Sequence, residues 1–219
     1  RQAARIAGEA LADIRGMIRP GVRESEVALE LEYRMRRGGA ERTAFETIVA
    51  AGPQSALPHA TPGPRPIADG DFVTIDYGAV WEGYHSDETC TFLVGRSTER
   101  QREVYRHVLE AHDRAIRAIR PGAPCGEIDR IARSFLADAG LGEAFAHGTG
   151  HGVGLEVHEA PRLAAGREEP LCAGMVVTVE PGAYLPGLWG VRIEDTVLVT
   201  EEGAEILTPT PKDLTIIRS

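Results

Sequence analysis

Apolar residues recur at helical spacing at the start of two long stretches of the chain. The stripe of the first stretch consists of Ile6, Ala10, Ile14 and Ile18, and that of the second consists of Val104, Val108, Ala115 and Ile119. Such spacing is typical of one face of a helix. Each stripe is followed by Pro-Gly, at Pro20-Gly21 and at Pro121-Gly122. Because proline cannot continue a helix, the pattern predicts a helix that ends at each of these pairs.

A second helical pattern follows each Pro-Gly pair. Its apolar positions are Val27, Leu31 and Met35 in the first copy and Ile128, Ile131 and Phe135 in the second. The pair Glu26-Val27 corresponds to Glu127-Ile128, which lies 101 residues later. The chain therefore opens the same way twice.

The similarity between the two stretches continues beyond the helices. Four further segments align in chain order, namely Phe45–Gly52 with Phe145–Gly152, Pro58–Pro62 with Val157–Pro161, Val73–Asp76 with Val177–Glu180, and Asp87–Thr89 with Glu194–Thr196. The offset between partners varies between 99 and 107 residues, as short loop insertions would produce. We interpret the chain as an internal repeat, with copies at about 3–100 and 101–200.

Runs of β-branched residues predict short strands in both copies. They fall at Phe72–Ala79 and Thr91–Val94 in the first copy, and at Met175–Val179 and Val191–Thr200 in the second. The sequence thus predicts an α+β fold, in which residues 1–219 form a single domain of two pseudo-symmetric halves. We expect these halves to share one sheet and one core.

Composition narrows the possible partners of this domain. With 42% hydrophobic and 26% charged residues, the chain has ordinary globular composition. A net charge of −9 argues against binding to nucleic acid, because no basic surface is available for phosphates. No apolar run approaches the 18 or more residues of a membrane helix, so we expect no membrane partner.

The cysteines and the first residue bear on location. Cys90, Cys125 and Cys172 are widely spaced and odd in number, which favours three reduced thiols in a cytoplasmic protein. The chain starts with Arg1, and no signal segment follows it. We therefore expect this chain to be part of a longer gene product.

The repeat pairs residues that carry chemistry. Its equivalent polar positions are Asp76 with Glu180, Asp87 with Glu194, and His59 with His158. If the carboxylates converge, four negative charges in a partly buried site require positive charge between them. Two divalent cations would balance the four carboxylates, and the imidazole of His151 would complete a set that can bridge two metals.

The positions of two of these carboxylates support this interpretation. Asp76 and Glu180 interrupt apolar strand patterns, where a charge is disfavoured and needs a partner. The glycine-rich run from His147 to Gly154 lacks the features of a P-loop or a dinucleotide fingerprint. We expect its glycines to allow close backbone approach and to direct His151 towards the metals. Other hydrolytic motifs, G-x-S-x-G and H-E-x-x-H, are absent from the sequence.

Four segments resemble one known family over essentially the whole chain. They are VTIDYGAVWEGYHSDET (Val73–Thr89), HGTGHGVGLEVHE (His147–Glu159), VTVEPG (Val177–Gly182) and GVRIEDTVLVT (Gly190–Thr200). The chain resembles the dinuclear metallopeptidases of the pita-bread fold, in particular the Xaa-Pro aminopeptidase and Xaa-Pro dipeptidase (prolidase) branch. The resemblance implies two halves around a curved, mostly antiparallel sheet, with helices outside. It also implies that the N-terminal domain found in many members is absent from this chain, and that the full-length protein is a homodimer.

The resemblance also implies roles for individual residues. The metal ligands would be Asp76, Asp87, His151, Glu180 and Glu194, with Asp87 and Glu194 bridging the two ions. His59 and His158 would contact the substrate near the scissile bond, and His147 and Arg192 would line or support the substrate pocket. The ions would be Mn²⁺, Co²⁺, Fe²⁺ or Zn²⁺, and the carboxylate-rich ligand set favours Mn²⁺.

The resemblance implies hydrolysis of the bond that precedes proline, in a dipeptide or at a peptide N-terminus. A hydroxide between the metals would attack the carbonyl carbon, which His158 helps to polarise. Glu180 would carry a proton to the departing nitrogen, while His59 helps to place the substrate.

Some features leave alternatives open. Methionine aminopeptidases share the fold but usually have Glu-His where this chain has Glu194-Asp195, and some relatives are non-catalytic binding modules. Members often have Thr-Arg-Thr where this chain has Thr89-Cys90-Thr91, so an arginine contact is expected to be missing. Arg162 or Arg167 could bind the carboxylate of a dipeptide, or could be exposed loop residues.

Overall fold

Each half of the chain begins with a pair of helices that pack against one another. In a computed structural model, which describes residues 1–218, the helices are α1 (Gln2–Ile14), α2 (Glu24–Arg37), α3 (Glu99–Ala118) and α4 (Cys125–Asp138). Short 3-10 segments occupy Arg15–Met17, Gly52–Ala56 and Gly142–Ala144. Within the described residues, every helix is too short or too polar to cross a membrane.

The helix ends show how local sequence sets the boundaries. Thr98 begins α3 with a capping box, in which its Oγ1 accepts from Gln101 N at 3.2 Å while Gln101 Oε1 accepts from Thr98 N at 2.9 Å. α3 ends at Ala118, close to the predicted Pro-Gly stop. α1 was predicted to reach Pro20 but ends at Ile14, where the chain tightens into a 3-10 turn around Gly16, a poor helix former.

The apolar stripe of α4 differs from the predicted one. Ile128, Ala132 and Leu136 are buried, whereas Ile131 and Phe135 are only half-buried. The predicted stripe was therefore correct for Ile128 and wrong for Ile131 and Phe135. The small Ala132 lies in the core, and the larger Phe135 packs at the core's edge.

Fourteen strands are described in residues 1–218. They are β1 (Arg42–Thr43), β2 (Ile48–Ala51), β3 (Phe72–Tyr77), β4 (Ala79–Trp81), β5 (Tyr84–His85), β6 (Glu88–Val94), β7 (Gly150–Gly152), β8 (Glu159–Leu163), β9 (Val176–Val179), β10 (Gly182–Leu185), β11 (Trp189–Arg192), β12 (Asp195–Val199), β13 (Ala204–Ile206) and β14 (Ile216–Ile217). They form a four-stranded sheet in the order β14-β6-β3-β2, a five-stranded sheet in the order β13-β12-β9-β7-β8, a small β1-β4-β5 sheet and the β10-β11 hairpin.

The two larger sheets have the same arrangement at their centres. β2, β3 and β6 are neighbours in the first, as are β7, β9 and β12 in the second, and these pairings are antiparallel. Among the described pairings, that of β14 with β6 alone is parallel. The aligned segments of the two sequence copies thus become equivalent strands.

The sheets meet where a predicted strand is interrupted. Val191–Thr200 was predicted as one strand, but β11 ends at Arg192 and β12 begins at Asp195. In the gap, the amide of Glu194 donates to Thr89 O at 3.1 Å in the other half. The break therefore lets Glu194 join the two sheets instead of continuing within one of them.

The buried residues form two clusters rather than the single core that we expected. One cluster lies between α1, α2 and the four-stranded sheet, and the other between α3, α4 and the five-stranded sheet. Phe72 and Leu93, from strands of the first half, belong to the second cluster. The Phe72 ring lies 5.2 Å from the Trp189 ring in an edge-to-face arrangement. The halves therefore keep separate cores that are in contact through these side chains.

Candidate metal centre

A cavity of about 480 Å³ lies where the two sheets meet. Residues from both halves line it, including every site residue that the sequence predicts. These are His59, Asp76, Asp87, His147, His151, His158, Glu180, Arg192 and Glu194. Residues separated by more than 100 positions in the chain are thus brought to one place.

Three of the predicted metal ligands form a tight group. Asp87, His151 and Glu194 each offer one ligand atom, and these atoms lie within 4.8 Å of one another. Asp87 comes directly before β6, Glu194 directly before β12, and His151 is the central residue of β7. All three are buried, so the group lies at the base of the cavity and not at its rim.

The tautomer of His151 leaves one ring nitrogen free for a metal. Its Nδ1 lies 3.0 Å from Gly152 O, and because a carbonyl oxygen only accepts, Nδ1 carries the proton. Nε2 faces the carboxylates, at 3.4 Å from Glu180 Oε1 and 3.6 Å from Asp87 Oδ2. Burial lowers the pKa of His151 to about 4, so the ring is neutral at neutral pH.

Glycines on both sides of His151 permit its position. A Cβ on Gly150 would lie 1.9 Å from Thr178 O, and a Cβ on Gly152 would lie 2.2 Å from Ala160 O. Real Cβ atoms essentially never approach so closely. The backbone of β7 can therefore lie against both of its neighbours only with glycine at these two positions.

Three carboxyl groups of the cavity have raised pKa values, so they lose their protons less readily than exposed carboxyl groups do. Burial, and then the charges of Glu194, Asp76 and Glu180, hold the pKa of Asp87 well above its usual range. Burial and the neighbouring carboxylates act in the same direction on the pKa of Glu194. Burial also raises the pKa of Glu180 to about 7, with Asp76 adding to the rise and Arg192 opposing it. A cation among these groups would stabilise their charged forms.

Asp76 is held differently from the other predicted ligands. Its Oδ2 accepts a hydrogen bond from Arg192 Nη2 at 2.7 Å, while its Oδ1 is buried without a hydrogen-bond partner. A buried carboxylate oxygen without a partner is costly unless something positive reaches it. An oxygen of this kind suits a divalent cation, although Asp76 is not part of the group formed by Asp87, His151 and Glu194.

Arg192 and His147 belong to a chain of hydrogen bonds beside the carboxylates. His147 donates from Nδ1 to Gly148 O at 2.8 Å, so its Nε2 accepts from the Tyr184 hydroxyl, also at 2.8 Å. The Tyr184 oxygen in turn accepts from Arg192 Nη1 at 2.9 Å. Sequence reasoning missed Tyr184, because a tyrosine in a strand pattern is typical of packing.

Thr89 connects Arg192 to the metal-ligand group. Its hydroxyl donates to Glu194 Oε2 at 2.6 Å and accepts from Arg192 Nε at 3.2 Å. Arg192 also donates to Pro58 O at 3.1 Å. Four of the five N–H groups of the guanidinium therefore donate to protein partners, which come from both halves of the chain.

The two remaining histidines lie nearer to solvent. His59 and His158 are both exposed while they line the cavity. The ring of His158 lies 4.3 Å from the ring of His151. Both histidines can therefore meet a molecule that enters the cavity.

Arg162 and Arg167, the two arginines considered for binding a dipeptide carboxylate, have different surroundings. Arg162, on β8, lies in the wall of the cavity. The carbonyl oxygen of Arg167 accepts from Gly126 N at 2.7 Å, at the start of α4. Of the two, Arg162 is placed to meet a ligand of the cavity.

A buried group of carboxylates and histidine, at the joint of two mostly antiparallel sheets, defines a candidate hydrolytic metal enzyme. Comparison with known proteins gives the class. The sequence profile of metallopeptidase family M24 matches residues 1–201, and the chain belongs to this family. The resemblance stated from the motifs is thereby confirmed.

Similar proteins from three organisms agree with the family. The Xaa-Pro dipeptidase of Pyrococcus furiosus is 50% identical over 213 residues, which are 97% of this chain and 61% of that protein. A solved Xaa-Pro dipeptidase from Bacillus anthracis is 49% identical, with a TM-score of 0.96 over 98% of this chain and 61% of that one. An X-Pro aminopeptidase from Thermotoga maritima is 42% identical, with a TM-score of 0.96 over 99% and 61% of the respective chains.

These similarities confirm the predicted α+β fold. The chain spans about 61% of the length of the relatives named above.

Proposed function

We propose that this chain carries the catalytic site of a metal-dependent exopeptidase that hydrolyses the Xaa-Pro peptide bond. The observation that carries the proposal is the buried group of Asp87, His151 and Glu194, in a cavity lined by both halves. Membership of a metallopeptidase family and similarity to Xaa-Pro dipeptidases and aminopeptidases support the reaction class.

Two divalent cations would be held by the cavity's carboxylates and one imidazole. The ligands in this proposal are Asp76, Asp87, His151, Glu180 and Glu194. Asp87 and Glu194, which enter from equivalent positions in the two halves, would each contact both ions. Four carboxylates match the charge of two divalent ions, and an oxygen-rich set favours Mn²⁺ over softer metals.

When bound, such cations lower the pKa of water to about 7 and polarise a substrate carbonyl. Residues of the chain would stabilise the carbonyl oxygen, transfer the proton and place the substrate. His158, exposed beside His151, would donate a hydrogen bond to the oxygen of the carbonyl that precedes proline. Glu180, which also lines the cavity, would pass a proton to the departing proline nitrogen. His59, at the open side of the cavity, would place the substrate.

Arg192 and His147 would support the site without binding substrate directly. Both ring nitrogens of His147 are used in hydrogen bonds, and the guanidinium of Arg192 reaches Asp76, Thr89, Tyr184 and Pro58. Arg192 would thereby orient Asp76, while His147 and Tyr184 hold Arg192. This refines the predicted roles of these residues as part of the substrate pocket.

Arg162 favours dipeptides among the possible substrates. The free carboxylate of a dipeptide lies close to the scissile bond, and Arg162 is a cationic side chain of the cavity wall. A guanidinium pairs well with a carboxylate through two parallel hydrogen bonds. Rates on Ala-Pro and on a longer peptide that begins with Ala-Pro would separate a dipeptidase from an aminopeptidase.

Metal removal tests the proposed function directly. Dialysis against a chelator should abolish cleavage of Ala-Pro, and addition of Mn²⁺ should restore it. Unchanged activity without metal would refute the mechanism. Binding of Mn²⁺ without any cleavage would instead indicate a binding module, and preference for an N-terminal methionine would indicate a methionine aminopeptidase.

A ligand variant adds a second test of the same proposal. Asp87→Asn should lose most turnover and at least one equivalent of bound Mn²⁺, since the amide cannot supply a negative charge. Asp138→Asn, at the exposed end of α4, is the matched control and should keep both. Near-normal rates in Asp87→Asn would mean that the ligand assignment is wrong.

The free cysteines bear on the cellular location of the protein. Cys90, Cys125 and Cys172 are all free thiols, which agrees with a reducing compartment such as the cytoplasm.

We also propose a homodimer, as the resemblance implies. Sedimentation of the purified protein at several concentrations would test the homodimer.

A further inference from the structure

The sequence holds one lysine among its 24 basic residues, and that lysine is buried. Lys212 is the lysine, and the other 23 are arginines. Only 9% of Lys212 is exposed to solvent. A buried cation needs negative partners. The choice of the compact ammonium in a chain that otherwise uses arginine indicates a site where a small point charge is required.

Lys212 lies between two buried carboxylates from opposite halves of the chain. Its Nζ is 2.5 Å from Glu88 Oε1 and 3.1 Å from Asp195 Oδ1. It also donates to Thr210 O at 3.0 Å, so each of its three protons has a partner. The Lys212 carbonyl accepts from the Tyr105 hydroxyl at 2.8 Å, which anchors the backbone at this point.

These two carboxylates are the chain neighbours of the two proposed bridging ligands. Glu88 follows Asp87 at the start of β6, and Asp195 follows Glu194 at the start of β12. Successive side chains of a strand point to opposite faces. Asp87 and Glu194 therefore face the cavity, whereas Glu88 and Asp195 face away from it and meet at Lys212.

Glu88 and Asp195 each have further contacts that the other carboxylate does not share. The Tyr77 hydroxyl donates to Glu88 Oε2 at 2.8 Å. The Thr208 hydroxyl donates to Asp195 Oδ1, and His112 Nε2 lies 3.2 Å from Asp195 Oδ2. Each of these contacts reaches one carboxylate, whereas Lys212 reaches both.

The ammonium also supplies positive charge next to Cys90, the position where similar proteins often have arginine. Cys90 Sγ lies 3.7 Å from Lys212 Nζ, although the two residues are 122 positions apart in the chain. Without Lys212, two buried negative charges would face each other directly behind the two bridging carboxylates. Their repulsion would favour separation of β6 from β12.

We infer that Lys212 is a positioning residue that fixes the distance between the two bridging carboxylates, and thereby the affinity for a metal pair. This inference rests on the proposed function, because it requires Asp87 and Glu194 to hold metal. The predicted effect is a loss of metal affinity beyond what any loss of stability accounts for. Residues that orient metal ligands typically change metal affinity by about 10- to 100-fold when they are replaced.

Calorimetric titration of the metal-free protein with Mn²⁺ tests the inference. Lys212→Met keeps a chain of similar length but removes the charge, and should weaken binding of the pair by about 10- to 100-fold. Tyr77→Phe and Thr208→Val are the matched controls, since each loosens one carboxylate while the tie between the strands remains. They should bind Mn²⁺ within about threefold of the unaltered protein.

Melting temperatures of the metal-free variants separate positioning from general stability. If affinity for Mn²⁺ follows melting temperature across all three variants, Lys212 is merely structural and the inference is overturned. A loss of affinity in Lys212→Met beyond that common trend supports it. Unaltered binding in Lys212→Met overturns this inference alone, whereas an unaltered protein that binds no Mn²⁺ pair overturns the proposed function as well.

A double variant covers the case in which Lys212→Met does not fold. Lys212→Met/Glu88→Gln removes one negative and one positive charge together, so the buried charge balance is kept while the ion pairs made by Lys212 are lost. It should fold and show the same loss of affinity for Mn²⁺. Normal affinity in this variant would overturn the inference.

Discussion

Arg192 donates from Nη2 to Asp76 Oδ2 at 2.7 Å, so a guanidinium from the second half neutralises a proposed metal ligand of the first. Both side chains are largely shielded from water, at 4% and 15% exposure. A pair in such surroundings depends strongly on both partners, since either charge alone is costly to bury.

Replacement of Arg192 should therefore destabilise the metal-free protein. In Arg192→Met, the Asp76 carboxyl group loses its buried donor and cationic partner, and we expect a loss of about 3–5 kcal/mol in the free energy of unfolding. Urea unfolding in the presence of a chelator measures this. Arg96→Met, which breaks an exposed pair with Asp69, is the control and should have a much smaller effect. Equal losses in the two variants would contradict the prediction.

Gly150 should not tolerate even a methyl group. In Gly150→Ala the new Cβ would lie 1.9 Å from Thr178 O, so β7 must shift and carry His151 with it. We expect a stability loss of about 1–3 kcal/mol and weaker binding of Mn²⁺. Gly16→Ala is the control, because nothing lies within 4 Å of its Cβ position. Melting curves with and without Mn²⁺ check both effects, and wild-type behaviour of Gly150→Ala would refute the argument.

Titration of Glu180 should lower the stability of the metal-free protein as the pH rises from 5.5 to 8, whereas the buried rings of His147 and His151, whose pKa values are lowered to about 4, act in the opposite direction. Burial raises the pKa of Glu180 from 4.5 to about 7, so the folded state holds a proton that the unfolded state has released. That stabilisation is complete below pH 4.5 and is lost as the pH rises through about 7. The raised pKa values of Asp87 and Glu194 act in the same direction.

Glu180→Gln isolates the share of one carboxyl in this pH dependence. The amide does not titrate, so the variant should lose about 2 kcal/mol less than the unaltered protein between pH 5.5 and 8. Urea unfolding at the two pH values, with chelator present, provides the measurement. Parallel pH profiles for the two proteins would show that Glu180 does not titrate as described.

Arg162 should matter for dipeptides and not for longer peptides. In Arg162→Gln the KM for Ala-Pro should rise about tenfold, because one charge-assisted contact with the substrate carboxylate is lost. The KM for a longer peptide that begins with Ala-Pro should stay the same. Arg167→Gln is the control and should leave both values unaltered. An equal rise for both substrates would exclude a role in binding the dipeptide carboxylate.

The sequence predicted where the carboxylates lie because two of them break a strong pattern. Asp76 and Glu180 follow β-branched runs that are otherwise buried, and the repeat pairs them with each other and pairs Asp87 with Glu194. All four line one cavity in the structure. Pattern reasoning succeeds here because a charge among apolar strand residues is costly and therefore informative.

Other parts of the site depend on contacts that local patterns do not encode. Tyr184 joins His147 to Arg192 through its hydroxyl, yet its ring fits the hydrophobic pattern of a strand. α1 ends at Ile14 because Gly16 disfavours a further helical turn. The apolar stripe alone therefore did not predict where the helix ends. Lys212 was visible in the sequence as the single lysine, but its partners become apparent only in three dimensions.

The amide of Glu194 reaches across to Thr89, and this contact bears on how such a molecule could arise. A half-length ancestor would have carried only two of the four acidic groups, so it could have built the cavity only as a symmetric pair of identical chains. With both halves in one chain, formation of the cavity does not depend on protein concentration. One chain can also place an asymmetric part at the joint, the C-terminal segment with Lys212, which a symmetric assembly would have to supply twice.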